Sequence, residues 1–591
     1  MQNINIQNIN IPRKEYPRPQ YERTEWINLN GEWNFKFDQK NIGEKEKWYK
    51  NKGVFDEKII VPFTYETKAS GIGKEEFCPN IWYQKTITIP NEFQEKKIAL
   101  HFQAADYLTK LWVNGRFVGE RKGGQIAFSF NISNYLNENN ELDIVVKNED
   151  SQSCFQPRGK QRWIDENFGC WYVQTTGIWQ TVWLEFLNET HIQSVKMTPD
   201  IDRESVEFVY EVSGNMDSEL ILRTSISYDG QPIKSFDQTV SRSSLTILTN
   251  ISSEFHQWRV FHWTPQSPHL YDVEFTLYKN GELIDKVTSY FGMRKISIEN
   301  GNILLNHTPL YQKLILDQGY WKESHLTPPS EEAIIEDIDK TLEMGFNGVR
   351  KHMKVEDQRF LYWADKKGLL VWSEMAATYE FSDEAIQNFT EEWIEVVKQQ
   401  YNHPSIITWT PFNESWGVKN IFTNQKQQKF TEGIYHLTKA IDSMRPVIVN
   451  DGWEHTVSDI ITLHDYVEYG EEFESRYHDK EKVVTNKIAF NKHKHAMAKG
   501  YHYQGQPIII SEYGGIAFDT EKGWGYGNQV KSDEEFLSRY ESITQAIKDT
   551  PYISGFCYTQ ITDVQQEVNG LLDEERNPKV DLRKIQEINS K

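Results

Sequence analysis

The hydrophobic pattern of the chain changes its period once, near residue 300, and this change separates two kinds of structure. From about residue 20 to 187, apolar and polar positions alternate over short runs at 31–37, 82–89, 97–102 and 109–115, with turn residues between them. Alternation at period two buries one face of each run and predicts an antiparallel β-sandwich. Asn114-Gly115 is a hairpin signal. The stretch ends in Gly169-Cys170-Trp171-Tyr172-Val173-Gln174-Thr175-Thr176-Gly177-Ile178-Trp179-Gln180, which is too aromatic for an ordinary solvent loop. Residues 190–297 read as a second, smaller β unit, with strands near 205–212, 220–228 and 271–279 and a hairpin at Asn280-Gly281. Its length suits an immunoglobulin-like sandwich, and nothing in it suggests chemistry, so it is read as a spacer.

Beyond Asn300, strand-like runs at 310–317, 345–351, 369–374, 406–414, 446–450, 460–466, 507–513 and 554–560 alternate with amphipathic stretches such as 330–344 and 389–401. The first of these stretches opens on Ser330-Glu331-Glu332-Ala333, a helix-capping pattern. Eight such βα units in about 290 residues predict a TIM (β/α)8 barrel. The expected division is therefore 1–188, 189–297 and 298–591.

Two of the barrel runs carry the candidate chemistry. Ile406-Ile407-Thr408-Trp409-Thr410-Pro411-Phe412-Asn413-Glu414 and Pro507-Ile508-Ile509-Ile510-Ser511-Glu512-Tyr513-Gly514-Gly515 are buried-strand patterns, each with a glutamate at its C-terminal end. The dipeptide Asn-Glu recurs elsewhere, for example at Asn91-Glu92 and Asn148-Glu149, so the strand context is what distinguishes Asn413-Glu414. Side chains at those strand ends face the mouth of a barrel. Two carboxylates held there suit glycosidic cleavage, where one protonates the leaving oxygen and the other attacks the sugar carbon or activates water.

Composition narrows the partners. A chain of 591 residues exceeds one hydrophobic core, and 13% aromatic residues supply flat rings of the kind that pack on pyranose faces. The net charge of -21 opposes nucleic acid and acidic membrane surfaces as partners. No apolar run reaches the roughly 20 residues of a membrane span, and the polar start Met1-Gln2-Asn3-Ile4-Asn5 lacks the regions of a secretory signal. Cys78, Cys154, Cys170 and Cys557 show no metal-type spacing, so a reducing, cytoplasmic location is expected. No metal or cofactor is expected: His464 beside Asp465 has no second ligand pair at suitable spacing.

Two β units followed by a barrel with these two glutamates resemble glycoside hydrolase family 2, the family of β-galactosidases, β-glucuronidases and β-mannosidases. The likeness spans nearly the whole chain and includes Leu29-Asn30-Gly31-Glu32-Trp33, Trp112-Val113-Asn114-Gly115, Thr176-Gly177-Ile178-Trp179-Gln180, Phe291-Gly292-Met293-Arg294 and Asn347-Gly348-Val349-Arg350. The resemblance implies a sugar-binding jelly roll, an immunoglobulin-like domain and a catalytic barrel, retention of anomeric configuration, and association of copies into a dimer or tetramer. It implies Glu414 as general acid/base, Glu512 as nucleophile and Asn413 as the group binding the sugar 2-hydroxyl, with Arg350 and Tyr466 donating to the nucleophile. The acid should stay protonated near neutral pH and the nucleophile ionised. Asp317, Trp321, His352, Glu374, His464, Asp465, Gln560 and Asp563 stand at other strand ends as candidate sugar contacts, and Trp171 and Trp524 as pocket walls.

The sugar is read from one departure. Family β-glucuronidases carry Asn-x-Lys shortly before a terminal Arg-x-Pro-Lys, and the triplet that precedes Arg576-Asn577-Pro578-Lys579 here is Glu567-Val568-Asn569. An acid stands where a uronate would need a cation, which favours a neutral sugar, with β-galactoside first because it is common in the family. A β-glucuronidase, another exo-glycosidase of the family (β-mannosidase or α-L-arabinopyranosidase type), a transglycosylase using the same intermediate, and a non-catalytic carbohydrate-binding protein are the alternatives.

Overall fold

A computed structural model describes residues 11–216, 219–491, 493–519 and 522–591, apart from the side chain of Phe255. The polar start Met1 to Asn5 lies outside the described residues.

The first domain is a jelly-roll sandwich. A four-stranded sheet, in the order Trp26–Asn28, Val182–Leu187, Lys97–Phe102, Phe128–Asn131, faces a six-stranded one. The alternation read at 97–102 is realised residue by residue, with Ile98, Leu100 and Phe102 inward among Trp33, Phe35, Tyr83 and Ile144. Asn114 and Gly115, at φ 50° and 70°, form the two-residue turn between Leu108–Val113 and Arg116–Lys122. Positive φ at both central positions matches the twist of the flanking strands, and Asn-Gly tolerates it. The second domain packs a three-stranded sheet on a four-stranded one around Phe208, Tyr210, Phe275 and Phe291, an immunoglobulin-like arrangement. It braces the barrel from outside: Tyr290 Oη donates to Asp365 Oδ2 at 2.8 Å and Trp263 Nε1 to the Asp365 carbonyl at 2.8 Å.

The third domain is the TIM barrel. Strands one to four are Gln312–Asp317, Gly348–Lys351, Leu370–Glu374 and Ile406–Thr410, and strands six to eight are Ile461–His464, Ile508–Gly514 and Ile553–Thr559. These seven form one parallel sheet, with strand one between strands two and eight. The fifth position corrects the sequence expectation of a continuous strand over 446–450: Val447 forms a single parallel bridge to Trp409, with Trp409 N on the Pro446 carbonyl at 3.0 Å and Ile448 N on the Trp409 carbonyl at 2.9 Å, and Asn450–Asp451 pairs with Phe412–Asn413. Between the two, Val449 N goes to Ser458 Oγ at 3.2 Å and so leaves the ladder. The barrel closes through His464 N to the Gly452 carbonyl at 3.2 Å. Leu314, Leu316, Leu370, Trp372, Ile407, Ile448, Ile460 and Ile509 fill its interior, so polar side chains are left to the C-terminal ends.

The helix Glu331–Glu343 starts as read, with Ser330 Oγ accepting from Ala333 N at 3.1 Å. The helix read over 389–401 begins earlier, at Asp383, capped by Ser382. Its first turn is acidic, which favours the N-terminal end of a helix dipole but conceals the apolar period.

Candidate functional site

Period-two alternation decides which strand-end residues enter the mouth. In strand seven, Glu512 points inward while Tyr513 turns out to Thr544 at 2.8 Å. After strand six, His464 and Tyr466 point inward and Asp465 turns away to Arg476 at 2.7 Å and Tyr477 at 3.1 Å. Glu414 follows Phe412–Asn413 at φ 51°, and Ser415 has φ 61°. Left-handed backbone at two non-glycine residues costs on the order of 1–3 kcal/mol each. It is held by Glu414 N on the Asp451 carbonyl and Ser415 N on Asn450 Oδ1, both at 2.9 Å.

Glu414, His464 and Glu512 come together. One carboxylate oxygen from each glutamate and a ring nitrogen of His464 all lie within 4.8 Å of one another. Glu512 receives Arg350 Nη1 at 2.8 Å and Tyr466 Oη at 2.5 Å. Arg350 is fully buried and also binds Glu374 through Nε at 2.7 Å, Asn413 Oδ1 through Nη2 at 2.6 Å and Asp451 through Nη1 at 2.7 Å. That leaves Asn413 Nδ2 buried and without a partner among the described residues. His464 sits between two acids, with Nδ1 2.8 Å from Glu414 Oε1 and Nε2 2.8 Å from Asp451 Oδ2.

Charge in this cluster follows from those contacts. Burial alone would discharge His464, but the carboxylates of Glu512, Asp451 and Glu414 outweigh it and raise the imidazole to about 10. Burial would likewise raise Glu414, yet the His464 hydrogen bond and charge, with Lys160 and Arg350, pull it below the usual carboxylate range. The sequence expectation of an acid protonated near neutral pH thus meets a Glu414–His464 couple in which the imidazole is raised and the carboxylate lowered, which favours the proton on the imidazole. His352, buried beside Lys160 and Arg350, is pushed well below its ordinary value and is neutral. One oxygen of Glu414 faces His464, and the two of Glu512 face Arg350 and Tyr466.

Other expected contacts divide. Tyr466 stacks on Tyr526 with centroids 3.4 Å apart, and Trp524 donates Nε1 to the Gly169 carbonyl at 2.9 Å. Trp171 stands edge-on to Trp416 at 5.1 Å. Glu374 and His352 lie behind Arg350, His352 Nδ1 being 3.0 Å from both Arg350 Nη2 and Glu374 Oε1. Asp317 is engaged by Lys351 Nζ at 2.5 Å and Gly319 N at 2.7 Å, and its contacts do not include the glutamate pair. Trp321 lies under Arg576 at 3.6 Å, and Asp563 binds Lys579 at 3.0 Å. Gln560 accepts from Gln318 Nε2 at 2.6 Å.

Glu567, which the sequence offered as the acid opposing a uronate, is 3% exposed and accepts from Tyr172 Oη, from Gln318 Nε2 at 3.3 Å and from Asn569 Nδ2 at 3.2 Å. Two site residues, Asp451 and Lys160, escaped sequence reasoning. Asp451 stands one residue past the run read as strand five, so a better strand end would have found it. Lys160, 8% exposed, comes from the first domain and faces Cys170, Glu567 and Tyr379. Burial opposes its charge, but those neighbours raise it overall. No local pattern marks it, because only the docking of two domains brings it to the pocket.

This is a TIM-barrel protein with paired carboxylates at the C-terminal mouth, preceded by two β-sandwiches. Sequence profiles make the class specific: residues 27–184 match the sugar binding domain of glycosyl hydrolases family 2, 190–294 the central family 2 domain and 296–591 its TIM barrel domain. The chain belongs to glycosyl hydrolases family 2 and is a glycoside hydrolase. It is 25% identical over 523 residues to a β-galactosidase of Thermoanaerobacter pseudethanolicus, covering 85% of this chain and 67% of that one. It is 24% identical over 609 residues to a β-glucuronidase of Streptococcus agalactiae, covering 93% and 94%. Among solved structures, the β-glucuronidase of Ruminococcus gnavus superposes with a TM-score of 0.78 at 18% identity, covering 98% and 99% of the two chains. No described helix is long and apolar enough to cross a membrane.

Proposed function

We propose that the protein is a retaining exo-β-glycosidase working by double displacement, with Glu512 as nucleophile and Glu414 as general acid/base. One observation carries this reading: an oxygen of each carboxylate lies within 4.8 Å of the other, with Arg350 and Tyr466 donating to Glu512 and His464 facing Glu414. That spacing is of the order found for retention, about 5–5.5 Å, and leaves no room for the water an inverting pair accommodates. Glu512 attacks the anomeric carbon as the glycosidic bond breaks, and the leaving oxygen takes the proton from Glu414. His464 Nδ1 supplies that proton to Glu414 as the incoming sugar displaces water from the carboxylate. In the second step Glu414 accepts a proton from water, which attacks the glycosyl ester and frees Glu512. Asn413 Nδ2, still unpartnered, donates to the sugar 2-hydroxyl. The three stretches 1–188, 189–297 and 298–591 serve in this reading as the domains.

The glycon is a neutral sugar, with β-galactoside first. Glu414, Glu512, Glu374, Asp451 and Glu567 outnumber Arg350, His464 and Lys160, the cations they meet among the described residues, so a further carboxylate would enter an already acidic pocket. Lys160 and the β-glucuronidase names among the relatives support a second reading, a uronate held by that lysine. The test is an assay of the protein and Glu512→Gln on aryl β-galactoside, β-glucuronide, β-mannoside, β-glucoside and α-arabinoside. Cleavage of β-galactoside by the parent alone supports the first reading, and cleavage of β-glucuronide alone the second. Sugar binding without hydrolysis would return the protein to the non-catalytic class.

A further inference from the structure

Behind Glu414 runs a line of polar contacts that the catalytic reading does not use. Ser415, the next residue, is buried and tied three times: its N–H donates to Asn450 Oδ1 at 2.9 Å, its Oγ accepts from Asn450 Nδ2 at 3.1 Å, and the same Oγ donates to Glu454 Oε2 at 2.8 Å. Glu454 is buried too, and its two oxygens receive Lys494 Nζ at 3.1 and 3.0 Å. Lys494 is partly exposed and sits on a closed loop, where Phe490 and Lys494 exchange backbone hydrogen bonds at 2.7 and 2.8 Å. That loop is docked on the strand-five exit, with Glu454 N on the His495 carbonyl at 2.7 Å and His455 N on the Ala496 carbonyl at 2.9 Å. A second line from the same lysine reaches the partner of the acid. Lys494 Nζ lies 5.4 Å from the Trp453 ring, and that ring meets His464 edge-on at 5.3 Å. Both lines end on the Glu414–His464 couple.

Glu414, Ser415 and Glu454 have φ of 51°, 61° and 52°. None is a glycine, so each holds a left-handed conformation only because its surroundings impose it. We propose that Glu454, paired with Lys494, is a positioning residue: through the Ser415 hydroxyl it fixes the backbone at 414–415, so that the Glu414 carboxylate stays on His464 and at a set distance from Glu512. The inference rests on the reading of Glu414 as general acid/base and adds the residues that aim it. A carboxylate suits the task because a charged acceptor binds a hydroxyl more strongly than a neutral one. Buried without its lysine it would be costly, so Glu454 and Lys494 act together.

The test separates aim from folding. The first step sets kcat/KM for every glycoside, and poor leaving groups depend most on the acid. In Glu454→Ala, the ratio of kcat/KM for a phenyl glycoside to that for the 2,4-dinitrophenyl glycoside of the same sugar falls by about 10- to 100-fold, a part of the full worth of a general acid. Glu454→Gln keeps an oxygen for the Ser415 hydroxyl and recovers most of the ratio. Lys494→Met, at the exposed end of the line, lowers it in the same direction. A crystal structure of Glu454→Ala needs no turnover and shows the Glu414 carboxylate withdrawn from His464 Nδ1. A ratio unchanged in Glu454→Ala, or in Lys494→Met should the first not fold, overturns the proposal, as does a Glu414 that remains 2.8 Å from His464 in that crystal structure. A parent that cleaves no member of the aryl panel overturns the glycosidase reading instead, and the crystal structure still decides whether Glu454 sets Glu414.

Discussion

At the scale of single residues, the site turns on where one proton lies. His464 is raised to about 10 by Glu512, Asp451 and Glu414 against the effect of burial, and Glu414 is correspondingly lowered. The couple therefore keeps its proton through neutral pH and loses it only as pH rises toward the imidazole's raised value. Replacing His464 by Asn removes the proton donor to Glu414. The alkaline limb of the kcat/KM profile then moves down by several pH units, and kcat on glycosides with poor leaving groups falls by about 10²–10⁴-fold. Substrates with good leaving groups, which need little protonation, lose much less in their first step. A pH profile of His464→Asn that matches the parent's would show that the imidazole has no part in proton transfer. The sequence made Glu414, Glu512, Arg350 and Tyr466 legible because each ends a recognisable apolar run. It concealed the proton's location, since Asp451 and His464 act on Glu414 from strands five and six.

At the scale of elements, the strand ends were readable and their connections less so. Strand five is two residues long because Val449 N turns to Ser458 Oγ and interrupts the pairing that Val447 begins with Trp409, and Asp451 falls just outside the expected run. Asp465 and Asp317 were expected in the pocket because they stand at strand ends. Asp465 turns outward by alternation, and Asp317 belongs to a lysine cluster with Lys351. The loop carrying Lys160 depends on one glycine. Gly159, at φ 61°, passes so close to strand two's exit that a Cβ there would lie 2.2 Å from the Met353 carbonyl oxygen. Neither the conformation nor the space admits a side chain. Gly159→Ala therefore displaces Lys160 and the aromatic loop from the mouth, and a shift of about 1 Å lowers kcat/KM by roughly 10²-fold. Far-UV circular dichroism stays that of the parent, because the three cores are remote from this contact. Full activity in Gly159→Ala would mean that the loop's seat on the barrel is dispensable.

At the scale of the whole molecule, the fold class was legible because two hydrophobic periods, two and mixed βα, occupy separate stretches of chain. Of the first domain's contacts with the barrel, that of the aromatic Trp171 stretch was expected from the sequence, whereas that of Lys160 was not, because Lys160 carries no local sign of the surface it will meet. The immunoglobulin-like domain braces the barrel through Asp365, and the jelly roll supplies part of the pocket, so the barrel is not the sole source of the site. The account rests centrally on Glu512 as the group that bonds to the sugar. The most direct measurement is peptide mass mapping after treatment with 2,4-dinitrophenyl 2-deoxy-2-fluoro-β-galactoside, or its counterpart for the sugar the aryl panel selects. The fluorine slows breakdown of the glycosyl ester and lets it accumulate. The account predicts one sugar per chain, on the peptide containing Glu512, and none on Glu512→Gln. A label on a different carboxylate, or no label on a protein that turns over the parent glycoside, would contradict it.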